Sequence, residues 1–174
     1  SEFTYSPPVV ADIDGDGKMN IILAGDHERS DDTTNRGVTL WVLNPDMTRP
    51  AGWATPKDTG SPLAYGDLGD NIVSTRPSPA VGDLDGKPGL EIVVPTYDGK
   101  MHAFASDGSE LWSYTFTKVA NPYVGASEPL LVDLNGDGSP EVVFTTYSSG
   151  QPRQPDVPAH LVVLDAAGKE LHKI

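Results

Sequence analysis

Asp133-Leu134-Asn135-Gly136-Asp137-Gly138-Ser139-Pro140-Glu141 runs directly into the apolar Val142-Val143-Phe144, and the reading of this stretch decides the fold. Oxygen-bearing side chains stand at relative positions 1, 3, 5 and 9, glycine at 6 permits a tight reversal, and the carbonyl of Ser139 at position 7 offers a further oxygen. A short loop that must wrap a hard cation needs such a set of oxygens. The first six residues also fit the start of an EF-hand loop, but that loop requires a bidentate Glu at position 12, where this one has Phe144. The carboxylate comes three residues early, and β-branched and aromatic residues replace the exiting helix. The stretch therefore reads as a ligand loop inside a β-hairpin.

The pattern occurs twice more. Asp12-Ile13-Asp14-Gly15-Asp16-Gly17-Lys18-Met19-Asn20 precedes Ile21-Ile22-Leu23, and Asp83-Leu84-Asp85-Gly86-Lys87-Pro88-Gly89-Leu90-Glu91 precedes Ile92-Val93-Val94. The leading aspartates are 71 and then 50 residues apart (83 − 12 and 133 − 83), a spacing at which one repeat is one supersecondary unit unable to bury its own apolar face.

A chain of 174 residues that is 37% apolar, with 18 glycines and 16 prolines, suits a turn-rich β domain better than a helical bundle. Asp and Glu number 25 against 12 Lys and Arg, a formal charge of −13, so nucleic acid and anionic membranes are poor partners. No apolar run approaches the roughly 18 residues of a membrane span. There is no cysteine, which excludes disulfides and thiol chemistry without fixing the compartment. Ser1-Glu2-Phe3 reads as a cloning remnant.

Taken in order, Pro7 to Ala11 leads into the first loop, and Met19 to Ala24 leaves it as a strand. Gly25 to Gly37 is a polar excursion, Val38 to Leu43 is a third strand, and a fourth reaches Trp53. Residues 54–77 read as an ornamented connection. In the second unit the strands are Ser78 to Gly82, Leu90 to Tyr97, Lys100 to Phe104 and Glu110 to Phe116. In the third they are Glu128 to Val132, Glu141 to Tyr147, Ala159 to Leu164 and Glu170 onward. The second strand of each unit is apolar on both faces, so each must be covered on both sides, which a β-sandwich does not provide. The expected fold is all-β: one β-propeller segment of three four-stranded antiparallel blades, spanning approximately 5–56, 76–117 and 126–174. Propellers close with about four to eight blades. Two apolar faces, at Ile21, Ile22, Val142 and Phe144 or their neighbours, therefore await a partner: a second copy of the chain or the rest of a longer propeller.

The three loops, with the short runs Val10-Ala11, Val81-Gly82 and Leu131-Val132 before them, resemble the FG-GAP and VCBS repeats, the family that includes the integrin α-subunit propeller. The stretch from Asp98 to Trp112 is similar in addition to the repeat of quinoprotein propellers, a likeness of blade architecture that implies no quinone. The first resemblance implies Ca²⁺ held between the first two strands of a blade. The implied ligands are Asp12, Asp14, Asp16, Lys18 (by its carbonyl) and Asn20 in loop one, and Asp133, Asn135, Asp137, Ser139 and Glu141 in loop three. Loop two has Lys87 where an anionic ligand belongs, and the ammonium can pair with Asp83, Asp85 or Glu91. That loop is expected to be empty or weak.

Blade geometry puts the metal loops on one face and the long excursions 25–37 and 148–158 on the other, with the connections 54–77 and 117–127. His27, Arg29, Arg36, Tyr65, Tyr123, Tyr147 and Arg153 fall there, either as solvated or packed loop residues or as a sugar or peptide surface. His102, His160 and His172 are isolated and form no zinc-like cluster. No nucleophile elbow or phosphate loop is present, and the paired carboxylates are better explained as metal ligands than as an acid–base pair. The reading is a calcium-binding module for carbohydrate or protein ligands, extracellular, at the cell surface or periplasmic. The alternatives are a fragment of a polysaccharide-active enzyme, such as a lyase on a calcium propeller, and a scaffold without a ligand.

Overall fold

The computed structural model describes residues 2–3, 6–27, 38–54, 57–58, 77–96, 99–118, 124–148 and 158–174. Strands alone make up its regular structure, in three antiparallel sheets, and the described residues contain no helix. The first sheet holds β1 (Glu2–Phe3), β2 (Val9–Ala11), β3 (Asn20–His27), β4 (Val38–Leu43) and β5 (Lys57–Asp58). The second is β6 (Ala80–Gly82), β7 (Glu91–Pro95), β8 (Lys100–Phe104) and β9 (Glu110–Thr115). The third holds β10 (Val124–Ala126), β11 (Leu130–Val132), β12 (Glu141–Ser148), β13 (Leu161–Leu164) and β14 (Glu170–Lys173).

Each sheet is an up-and-down meander, and each acidic loop joins its first short strand to the strand beside it. The register repeats: Val10, Val81 and Leu131 lie opposite Ile21, Ile92 and Val142. Side chains alternate across a strand, so the middle sheet turns one face to the sheet before it and the other to the sheet after it. Ile22, Leu40 and Val42 meet Ile92, Val94 and Phe104 in one core. Val93, Met101 and Ala103 meet Val142, Phe144 and Leu164 in a second. The middle sheet is thus buried on both faces, which is why β7 is buried along its whole length. β6 lies against both β2 and β11, so the first strands of the three sheets are neighbours.

Two indole N–H groups tie the sheets at the opposite edge. Trp53 Nε1 donates to the Ser106 carbonyl at 2.8 Å, and Trp112 Nε1 to that of Ala166 at 3.0 Å. Both acceptors are the second residue of the turn before the last strand of the following sheet. Tyr114 adds a hydroxyl donated to Glu170 between sheets two and three. Burial first, and then the Glu170 carboxylate, push the Tyr114 phenol well above its ordinary range.

The strand order agrees with the sequence reading, and four details differ. β3 continues through Gly25 to His27, where an excursion was expected, and Glu2–Phe3 pairs with its end. β12 is likewise long, and β10 pairs with its end inside the expected 117–127 connection. In both sheets the long strand projects beyond its short first partner, and a second short strand takes up the ladder groups left over. The fourth strand of the first sheet is Lys57–Asp58; Trp53 precedes it as a buried plug with its ring edge on Phe104. Of the residues expected at the exposed apolar faces, Ile22, Val142 and Phe144 are sealed between sheets, while Ile21 lies on an outer face as expected and Val143 lies on the other in place of its neighbours.

Gly168 shows how closely the sheets approach. Its φ is +79°, and a Cβ there would stand 2.5 Å from Cδ2 of Trp112. Gly168→Ala is expected to lower unfolding stability by about 1–3 kcal/mol, from backbone strain and displacement of the indole. The exposed Ser113→Ala is expected to stay within about 0.5 kcal/mol. Urea unfolding of both variants checks this.

Candidate metal-binding loops

All three loops are built on one hydrogen bond. The side chain at position 9 is buried, and its oxygen accepts the backbone N–H of position 2 across the loop: Ile13 to Asn20 (3.1 Å), Leu84 to Glu91 (2.7 Å) and Leu134 to Glu141 (2.7 Å). Position 9 opens the second strand, so this bond closes the loop on its own sheet. The aspartate at position 1 then organises the reversal. Asp12 accepts the N–H groups of Gly15, Asp16 and Gly17, and Asp133 those of Gly136, Asp137 and Gly138. Asp83 accepts that of Gly86. These bonds, that from Gly138 first, hold the Asp133 carboxyl below the ordinary carboxylate range.

The carboxylates converge unequally. In loop one, Asp12, Asp14 and Asp16 bring one oxygen each to within 4.8 Å of one another, and in loop two Asp83, Asp85 and Glu91 do the same. Oxygens sharing a Ca²⁺ at about 2.3–2.6 Å lie at most roughly 5 Å apart, so both groups match the size of such an ion. Among the described residues these are the two groups of three acidic side chains so placed. The sequence reading favoured loops one and three; the acidic groups fall in loops one and two.

The difference begins with residue type: both groups include the aspartate at position 3, Asp14 or Asp85, where loop three has the neutral Asn135. In loop three, Asn135 Nδ2 donates to Glu141 Oε1 at 2.8 Å, while Asp137 Oδ1 accepts the Ser139 N–H at 2.9 Å. In loop two, Lys87 stands at position 5 and its ammonium lies 2.6 Å from Asp85 Oδ2, one of the pairings expected from the sequence. The ammonium, with its hydrogen bond, lowers the Asp85 carboxyl and is itself raised by Asp85. Burial pushes the Glu91 carboxyl up, and the Asp85 and Asp83 charges add to this against the Leu84 hydrogen bond. In loop one, Lys18 donates its backbone N–H to Asp16 and places its ammonium 3.2 Å from the same carboxylate. The backbone bond is the larger cause of the lowered Asp16 carboxyl. Asn20 Oδ1 accepts the Ile13 N–H, and Asn20 Nδ2 donates to Asn44 Oδ1 at 3.1 Å.

The loops and the turns before the last strands share one end of the stack. Asn20 reaches Asn44 in the first sheet, and Gly89 of loop two packs on Ser106 and on the Ile13 carbonyl. On the expected opposite face, Arg29, Arg36, Tyr65, Tyr123 and Arg153 lie outside the described residues, and of His27 only the backbone at the end of β3 is described. Tyr147 is exposed on β12, its ring over the backbone of Gly125 opposite it. His102 is buried, with Nδ1 2.9 Å from Glu110 Oε1. The sequence reading missed the position 9 clamp and the role of Asn44. A signal was present: position 2 is a large aliphatic residue in all three acidic loops, as Ile13, Leu84 and Leu134.

No protein-family model matches this chain, and neither does any curated protein. The chemistry of the site therefore stands on its geometry.

The Ile13 N–H is buried, so removing its acceptor strands a donor. Asn20→Leu is expected to cost about 1–3 kcal/mol even in the presence of a chelator. Asn44→Ala, which removes the outer partner of the same amide and an exposed bond to Thr48 but leaves the Ile13 N–H its acceptor, is expected to cost less. Chemical denaturation of both in excess chelator makes the comparison.

Proposed function

We propose that this chain is a calcium-stabilised segment of a β-propeller that serves as a binding or adhesion module outside the cytoplasm, with carbohydrate or protein as its ligand. The observation that carries the reading is the loop built three times over, each held by the same clamp and each rich in carboxylate oxygens at one end of the stack. Like charges so close repel, and a dication relieves that repulsion with the oxygen ligands it prefers. Loop one, with Asp12, Asp14 and Asp16, is the strongest site. Loop three supplies Asp133, Asn135, Asp137 and Glu141 once the Asn135–Glu141 contact gives way to the ion. Loop two already holds a cation in Lys87, and its ammonium competes with a metal for Asp85. The blade reading is supported by meanders stacked face to face with their first strands adjacent. Calcium at useful concentration is found outside the cytoplasm, hence the proposed location.

Calorimetric titration after chelation tests this. Two calcium ions per chain are expected, with a rise in melting temperature. Asp12→Ala and Asp137→Ala should each remove one ion, and Lys87→Asp should add or strengthen one at loop two. An unchanged melting temperature with and without calcium would contradict the proposal.

A further inference from the structure

The two internal junctions repeat one set of contacts, and the outer sheets carry the separated halves of a third. The residue at position 2 of each loop marks this most clearly. Ile13 and Leu84 are packed into the core shared with the following sheet and are 0% and 4% exposed, whereas Leu134 is 59% exposed. Leu40 and Met101 show the same contrast with Leu161, which holds their register place on β13: 0% and 0% against 41%. The outer face of the third sheet is therefore of the kind that packs on a next sheet.

The first sheet carries the opposite kind. Val81 and Leu131 are half-buried against the sheet before them, and their counterpart Val10 is 59% exposed. Backbone groups follow suit. The N–H of Leu90, at position 8 of loop two, donates to the Ile13 carbonyl at 2.9 Å across the first junction. The second junction lacks this bond because position 8 of loop three is Pro140, which has no N–H. Loop one has Met19 there, with an N–H, and loop three has the matching carbonyl on Leu134. His172 stands opposite Val163 as Trp112 stands opposite Ala103, and Pro45 matches Ser106 and Ala166 in its turn.

We infer that a second copy of this chain docks head to tail on these faces, the third sheet of each copy against the first sheet of the other, closing six sheets about a twofold axis. The occupant of the third sheet's outer face must present a face like that before the first sheet, and this chain presents one. Both junctions of such a pair are equal, and six sheets fall within the roughly four to eight of closed propellers. Ring closure rests on the blade reading above; the junction itself does not.

Sedimentation velocity on the whole chain over a range of concentrations tests this, alongside Leu134→Asp and Val10→Asp at exposed positions. The unsubstituted chain is expected at twice the chain mass. Each variant alone is expected as a monomer that still unfolds cooperatively. An equimolar mixture of the two is expected to recover dimers, because one junction then pairs two intact faces. A monomer at every concentration, a dimer that survives either substitution, or a mixture that stays monomeric would overturn the inference, and particles larger than two copies would overturn closure. Calcium titration of the same samples separates the two claims: a monomer that binds calcium removes this inference alone.

Discussion

The hydrogen bond from the backbone N–H at position 2 to the side-chain oxygen at position 9 is the constraint on which both the loops and the stack depend. It draws the middle of each acidic loop onto the start of its second strand, at 2.7–3.1 Å in all three. One consequence is electrostatic, because the chain is forced into a curl with its carboxylates to the inside or rim. The other is steric. With its N–H committed inward, position 2 sends its side chain toward the neighbouring sheet, where Ile13 and Leu84 are buried. Burying an apolar side chain of that size contributes about 1.5–3 kcal/mol, so the loop that gathers charge also fastens one sheet to the next.

The middle sheet shows what the arrangement achieves. Its first face belongs to one core and its second face to the other, so the burial of this sheet depends on both of its neighbours. The tryptophans repeat this coupling at the opposite edge, where an indole can pack its ring and still satisfy its N–H on a turn carbonyl of the following sheet. A shift of one sheet relative to the next disturbs loop, core and latch together.

Much of this was legible in the sequence, for a physical reason. A loop motif with fixed spacing pins the start of a strand to within a residue or two, and three copies locate Asn20, Glu91 and Glu141 as strand starts without any propensity argument. Strand order and turn positions follow. What was not legible depends on neighbours. Glu2–Phe3 and Val124–Ala126 are strands only because β3 and β12 outrun their first partners, and nothing in those short segments announces it. Trp53 looks like the end of a strand but is a plug whose partner lies in the next sheet. In the loops, residue types gave the candidate ligands. Whether three carboxylates converge follows the residue at position 3, Asp14 and Asp85 in the converged groups and the neutral Asn135 in loop three. The contacts of Asn135 with Glu141 and of Lys87 with Asp85 come from side-chain geometry that spacing does not encode.

Site-resolved native-state hydrogen exchange of the Ile13 and Leu84 backbone amides tests the central claim most directly. If the position 9 clamp is closed and buried as described, both amides exchange as slowly as core amides of β7, and only through opening that approaches global unfolding. Exchange of either amide at the rate of an unprotected surface loop would show that the clamp is open in solution and would contradict the account.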